Sequence, residues 1–489
     1  MFLLTTAALA PLVGALILTV IRGSAARVVS LLAAGVPLVI ALYMAFRFQP
    51  GAGMQFVEER SWIGAINAFY ALGIDGIGLS MILLTVVLTP LVLCYGFSDR
   101  YHHWGESTYL ALVLVVEGLA IFVFAATDLL LFYLFFEATL IPMFFLIGGF
   151  GGPRRRYAAV KFLLYSLTSG LIMLAAIIGV YVVSQSGDAT FLLSDLKHLN
   201  VSEGTAHWLF AGFMVAFIVK APMVPLHTWL PDAASNTTAG GAVMMVAIMD
   251  KIGTFGMLRF ALTMFPGAWD WATPFMIVLA VISIIYGALG ALGSNDLMRF
   301  VAYTSISHFG FIVLGLFALN PTAVAGAALY MFNHGISTAA LFLVIGFLVR
   351  RRGSADIRDF GGVQQVAPLL AGYLLIAGLS ALSLPGLAPF VSEFGVLAGT
   401  WRDHPWATGI SALAMVLAAC YVMRVYKRTM TGQPGKEVRN TVTELGAERW
   451  VIVPLILMLV AFGVYPTPLT TMINPDAAHV VQEVRSNAK

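Results

Sequence analysis

Seven ionisable side chains stand where an apolar sequence has little reason to keep them. Lys220 lies in FIVKAPMVPLHTWLPDA and Lys251 in MMVAIMDKIGTFGMLRF. Glu137 lies in LLLFYLFFEATLIPMFF and Glu393 in LSLPGLAPFVSEFGVLAGTW. Glu117, His308 and His334 fall near the middles of three further apolar runs. A charged group at mid-membrane costs about 2.5–3.5 kcal/mol on insertion scales. Amines, carboxylates and imidazoles retained at that cost take up and release protons or bind ions. Their presence on seven helices, mostly in one central layer, points to an ion or proton pathway.

Each group taken alone has a plainer reading. A single buried charge can be half of an ion pair that fixes helix packing. A lone buried histidine commonly bonds a hydroxyl, and AYTSISHFG offers His308 Tyr303, Thr304, Ser305 and Ser307. Histidine also titrates nearest neutral pH, which favours a relay. Asp250 precedes Lys251, and successive helix residues do not face each other. It therefore faces a different helix or a partner subunit, and no role follows from its position.

Other chemistries find no support. The close histidine pair is His102 and His103 in a loop, a poor basis for a metal site. Cys94 and Cys420 are the two cysteines, too few for an iron–sulfur centre or a disulfide framework. GFGGPRRR at 149–156 is a basic turn, not a nucleotide fingerprint following a strand. Net charge is +3 and scattered, so no basic tract suits nucleic acid. Neither a bound cofactor nor covalent catalysis is expected in this chain.

The elements that must carry these groups are membrane helices. Of 489 residues 60% are hydrophobic and 10% charged, against about 25% charged in soluble domains. Apolar runs give an all-α polytopic fold of about fourteen transmembrane helices. The spans carrying the seven groups are 107–125, 128–147, 206–226, 238–263, 297–317, 321–349 and 366–400. The odd-numbered connections hold 18 of the 27 Lys and Arg residues, Arg100 and Arg154 among them. The even connections, the tail with Lys489, and Arg259 at a helix end hold seven. The positive-inside rule then puts both termini on the outer side.

Pro222 and Pro225 follow Lys220, and Pro385, Gly386 and Pro389 precede Glu393. Proline interrupts helices, and irregular backbone at membrane depth belongs beside protein or a wet cavity. The seventh and twelfth helices are thus expected to be discontinuous. Each is fourth in a block of five, helices 4–8 and 9–13, and an odd block length makes the second repeat inverted. This divides the chain into N-terminal helices (1–106), an inward half-channel (107–265), an outward half-channel (266–430) and a last helix with its tail (431–489).

GIDGIGLSMILLTVVLTPLVL (73–93), FIVKAPMVPLHTWLPDA (217–233), DLMRFVAYTSISHFGFIVLG (296–315) and FNHGISTAALFLVIGFL (332–348) resemble the antiporter-like subunits of respiratory complex I, NADH–quinone oxidoreductase. The resemblance covers essentially the whole chain. Glu393 favours the M-type branch (subunit 4 in mitochondria), because L-type and N-type sisters usually carry Lys there.

The resemblance implies proton translocation in the membrane arm of a bacterial inner-membrane complex. Glu137 and Lys220 would form a coupled pair, and Lys251 would be the central lysine. His308 and His334 would relay, Glu393 would be the outward acid, and Glu117 would face a neighbouring subunit. L-like and N-like subunits and lipid would be partners. FMN, iron–sulfur clusters and quinone would lie in other subunits. Three positions depart from the family pattern. Ala234 and Asn236 replace the usual His and Glu, and Met298 replaces a basic residue. A multisubunit sodium/proton antiporter and a membrane-bound hydrogenase arm share the same helices, and a purely structural scaffold is a further alternative.

Overall fold

The computed structural model describes residues 2–99, 104–184, 190–197 and 201–487. Arg100, His102, His103 and Lys489 lie outside them. The chain is mostly helical. In order come α1 (Leu3–Ile17), α2 (Ser24–Arg47), a hairpin of β1 (Gln55–Ile63) and β2 (Ala68–Ile74), α3 (Gly76–Gly96) and α4 (Glu106–Ala125). Next are α5 (Leu129–Phe150), α6 (Arg155–Ser184), α7 (Glu203–Lys220), α8 (Trp229–Ser235) and α9 (Ala239–Met264). Then follow α10 (Pro266–Gly293), α11 (Leu297–Phe317), α12 (Pro321–Arg352), α13 (Pro368–Ala381), α14 (Ala388–Trp401), α15 (Pro405–Met430), α16 (Arg449–Val464) and α17 (Thr467–Asn487). Among the described residues ten of these are long and apolar enough to cross a membrane.

Polar residues just before the helices start them. Asp75, Asp128 and Asp296 accept the backbone N–H of Gly78, Leu131 and Arg299 at 2.7–2.9 Å. Each satisfies a donor that a helix N-terminus leaves free. Burial then sorts the helices. The apolar stretches of α9, α11 and α12 are almost wholly enclosed, while α2, α6 and α15 expose most of theirs. An enclosed helix that retains charges is an axis, and a half-exposed apolar one faces lipid or another subunit.

Three expectations need correction. The chain is not all helical, because β1 and β2 pair antiparallel. This hairpin is tied down by Glu58, which accepts Leu4 N at 2.7 Å, and by Phe69 N, which donates to Asp128. The C-terminal tail is α17, bent 64° from α16 and packed on α12 and α3. Pro389 does not break a helix. It occupies the first turn of α14, where a missing N–H is harmless.

The interruptions themselves are present. α7 stops at Lys220, and residues 221–228, with Pro222 and Pro225, lead into α8. α13 stops at Ala381, and residues 382–387, with Pro385, lead into α14. Gly386 turns there at a φ of 93°, a conformation that suits a residue lacking Cβ.

Candidate functional site: a buried line of ionisable groups

Glu137 sits at the bend of α5, where the helix pauses at Thr139. Its carboxylate fits into α6 through Gly170, where an added Cβ would lie 1.7 Å from Oε1. Lys220 closes α7, and its Nζ is fully buried without a hydrogen-bond partner among the described residues. It lies over the rings of Phe136, at 4.9 Å, and Phe162, at 5.9 Å. Aromatic faces attract a cation but offer it no acceptor lone pair in the line of an N–H. The break after Lys220 frees the carbonyl of Val219, which Trp229 Nε1 satisfies at 3.0 Å.

α9 brings the next charges against α7. Gly253 permits the approach, since a Cβ there would stand 2.7 Å from Ala221 N and Phe217 O. Val243–Met249 is π-helical, so Asp250 N bonds Met245 O and not the α-helical partner Val246 O. Val246 O accepts instead from Lys251 Nζ at 2.7 Å. π-Bulges of this kind recur at functional sites. The same ammonium reaches across to α12, 2.6 Å from His334 Nδ1, and lies 4.8 Å from the Phe309 ring centre. Lys251 therefore bridges α9 and α12.

From His334 the line continues through α11 to α14. The His334 and His308 ring centres are 5.1 Å apart. His308 Nε2 donates to Ala381 O at 3.0 Å. That carbonyl is free because α13 ends there, so the helix break positions the imidazole. A cavity of about 10 Å³, room for one water, is lined by His308, Ala381, Glu393 and Tyr421. Glu393 accepts Tyr330 Oη at 2.6 Å and Ser383 Oγ at 2.5 Å. Asn333 donates to Ala388 O at 2.8 Å and holds the start of α14.

Six of the seven predicted residues thus lie along successive helices of one interior. Glu117 does not join them. It is fully covered by the chain's own helices, because Gly118 lets the Ala8 carbonyl of α1 come close, and Thr89 of α3 faces it. It is not displayed at the surface toward a neighbour, as the resemblance implied.

Sequence reasoning missed Tyr330 and Asn333 of α12 and Ser383 in the break after α13, neutral polar groups that carry no charge to mark them. It also missed Asp232, which pairs with Lys161 and Arg299, both at 2.8 Å, and ties α6 to α11. A 320 Å³ cavity lies off the line, beside the hairpin and α17. Arg259 pairs with Asp75 there at 2.6 Å, with Lys197, Asp476 and Glu483 around them. Among the described residues no three metal-ligating side chains converge.

Residues 126–419 match the family model described as NADH:quinone oxidoreductase/Mrp antiporter, TM. NADH-quinone oxidoreductase subunit M of Mycobacterium tuberculosis is 45% identical over 97% of this chain and 93% of its own length. The Rhodobacter capsulatus subunit M is 37% identical over 98% of this chain and 96% of its own length. The chain belongs to the NADH–quinone oxidoreductase subunit M family. A chain of Thermus thermophilus respiratory complex I superposes with a TM-score of 0.90 at 31% identity, over 98% of this chain and 99% of that one. A chain of the Mrp complex from Dietzia superposes at 0.86 with 19% identity over the whole of both chains, a likeness of fold alone.

Family membership gives two of the three sequence departures a setting. Asn236 accepts from Arg154 N at 3.1 Å and donates to Asp232 O at 3.0 Å. It pins the α5–α6 turn by neutral bonds, at a position where a glutamate would bring a charge. Met298 is buried and carries none.

Proposed function

We propose that this chain is a proton-translocating subunit of the membrane arm of NADH–quinone oxidoreductase, driven by redox chemistry in partner subunits. One observation carries the reading. Lys251 contacts His334 across the junction of the two halves, so that buried groups run in sequence from Glu137 to Glu393. Glu137 near Lys220 favours charge on both. A charge shift in a neighbouring subunit would draw Glu137 away and leave Lys220 in low dielectric. Lys220 then yields its proton toward Lys251, and the proton passes through His334 and His308 to Glu393 and the outer side. A line centred on amines repels sodium and suits protons, which favours this reading over sodium/proton exchange.

Fourteen crossings with both termini outside, and two inverted half-channels meeting at Lys251, belong to the same proposal. The placement of the breaks after Lys220 and before Glu393 supports it. FMN, iron–sulfur clusters and quinone would reside in other subunits, with L-like and N-like subunits adjoining this one.

The test is Glu137→Gln or Lys220→Ala in the assembled complex in proteoliposomes. Assembly is expected to persist while most proton translocation by this subunit is lost. Full coupled pumping in either variant would sink the scheme.

A further inference from the structure

Asp250 is a buried carboxylate to which the scheme above assigns nothing. It is fully buried, and both of its oxygens lack a hydrogen-bond partner among the described residues. An ionised group left that way is costly unless compensating charge stands near. The helix geometry says where that charge is. Asp250 and Gly253 are three residues apart on the regular helical turn after the π stretch, so they share a face. The Gly253 face is the one pressed against Phe217 and Ala221 of the α7 terminus. Lys220 stands between those two residues. Lys251, one position on, points instead to His334 on α12.

The carboxylate consequently interacts with both lysines. Lys251 and Lys220 are its charged neighbours, and Lys220 in turn feels Glu137 and Asp250. Lys251 has Asp250 as its carboxylate neighbour.

We infer that Asp250 carries the proton between Lys220 and Lys251, as the relay at the seam of α7 and α9. The inference rests on the proposed translocation and names its middle step. Lys251 first passes a proton from its ammonium to His334 Nδ1 and becomes a neutral amine. An N–H bond of the Lys220 ammonium then breaks and an O–H bond forms on Asp250, leaving neutral amine and carboxylic acid. The Asp250 O–H bond next breaks and an N–H bond forms on Lys251. One proton has moved from Lys220 to Lys251, and Asp250 is again a carboxylate. A hydroxyl or amide at this position could bond to the lysines but could not accept and release the proton in that way.

The alternative role is a fixed counter-ion that never takes a proton. Three measurements on the whole complex in proteoliposomes separate the two. Asp250→Asn should lower protons moved per NADH to the level of Lys220→Ala, with assembly retained. Asp250→Glu should restore most of the loss. Infrared difference spectra during turnover should show a carboxylic C=O band that Asp250→Asn lacks and Asp250→Glu shifts. A wild-type ratio in Asp250→Asn beside a low ratio in Lys220→Ala would overturn the relay and leave the translocation reading standing. A wild-type ratio in Lys220→Ala would instead overturn the translocation reading itself. Should Asp250→Asn fail to assemble, the Asp250→Glu spectrum decides. A turnover band unchanged from wild type then makes Asp250 a fixed counter-ion, and a shifted band makes it the relay.

Discussion

Glu393 and Glu137 are both carboxylates held in apolar helices, but their surroundings differ. Glu393 receives two hydroxyl protons, from Tyr330 and Ser383, and Asn333 fixes the start of its helix. Among the described residues Glu137 has an Oε1 without a donor, Lys220 has aromatic rings in place of acceptors, and Asp250 has nothing bonded to either oxygen. The Glu393 end of the line solvates its charge locally, by dipoles that stay in place. The Glu137 end leaves its charges to one another. In low dielectric an unbonded charge responds strongly to a charge added or removed nearby. On the proposed function, the group of Glu137, Lys220 and Asp250 would be the part that a neighbouring subunit switches, and the group around Glu393 the part that holds a proton acceptor in readiness.

The sharpest way to break this contrast is at the junction. Lys251→Met removes the amine that reaches both Val246 and His334, while keeping a flexible apolar stem of similar length. If the halves act in series, translocation by this subunit falls at least about tenfold, equivalent to about 1.4 kcal/mol or more on its barrier. The readout is protons per NADH in proteoliposomes. A ratio equal to wild type would mean that the halves work independently.

Gly170→Ala is expected to come next. A methyl group 1.7 Å from Glu137 Oε1 cannot coexist with the present carboxylate position. Small-to-large changes in packed interiors cost about 1–3 kcal/mol, so the protein should assemble while Glu137 moves. The proton ratio should fall several-fold, approaching that of Glu137→Gln. No change would show that the seat against α6 is not the working position of Glu137.

Tyr330→Phe should act more gently, because the outward half is redundantly bonded. It removes one hydrogen bond to a charged group, about 1.5–3 kcal/mol, and leaves Ser383 in place. The proton ratio should fall less than in Gly170→Ala, because Ser383 still bonds the carboxylate, and the deficit should not recover on varying the quinone concentration. A loss as complete as that of Lys251→Met would erase the distinction between the halves.

The same distinction explains what is legible in sequence. Lys220, Lys251 and Glu137 stand out because a charge inside an apolar run has a recognisable cost, whatever surrounds it. Pro222 and Pro385 mark the breaks because proline lacks an N–H. Tyr330 and Ser383 are silent, since a neutral hydroxyl carries no charge whose burial would mark it, and hydroxyls such as those of Thr85 and Thr89 in apolar helices are commonly satisfied by a backbone carbonyl. Asp250 is visible by its charge, but its role is not. Its partner is set by the contact of Gly253 with α7, a tertiary approach that no spacing along the chain encodes. The hairpin of β1 and β2 is hidden too, because its pairing is short and its anchors, Leu4 and Asp128, lie on helices remote in sequence.

The C-terminal helix supplies the mildest test. Asp476 of α17 accepts Gly76 N at 2.6 Å, and burial, with Asp75 nearby, pushes its carboxyl up to about 6; Gly76 N–H and Arg259 pull the other way. This carboxylate, like Glu137 and Asp250, is not clamped by hydroxyls among the described residues, and it lines the cavity beside α17. A raised carboxyl pKa means that the folded chain holds the proton more tightly than the unfolded one. The stabilisation is fully present below the ordinary value of about 3.8 and is lost as pH rises through about 6. Docking of α17 should therefore be firmer at pH 5 than at pH 7, by about 1–3 kcal/mol at most. Hydrogen exchange of the α17 amides reads this directly, after correction for the intrinsic pH dependence of exchange. Asp476→Asn should flatten the difference. Equal protection at the two pH values in the wild type would place the dipoles around Asp476 with those around Glu393, sufficient in themselves to hold a charge.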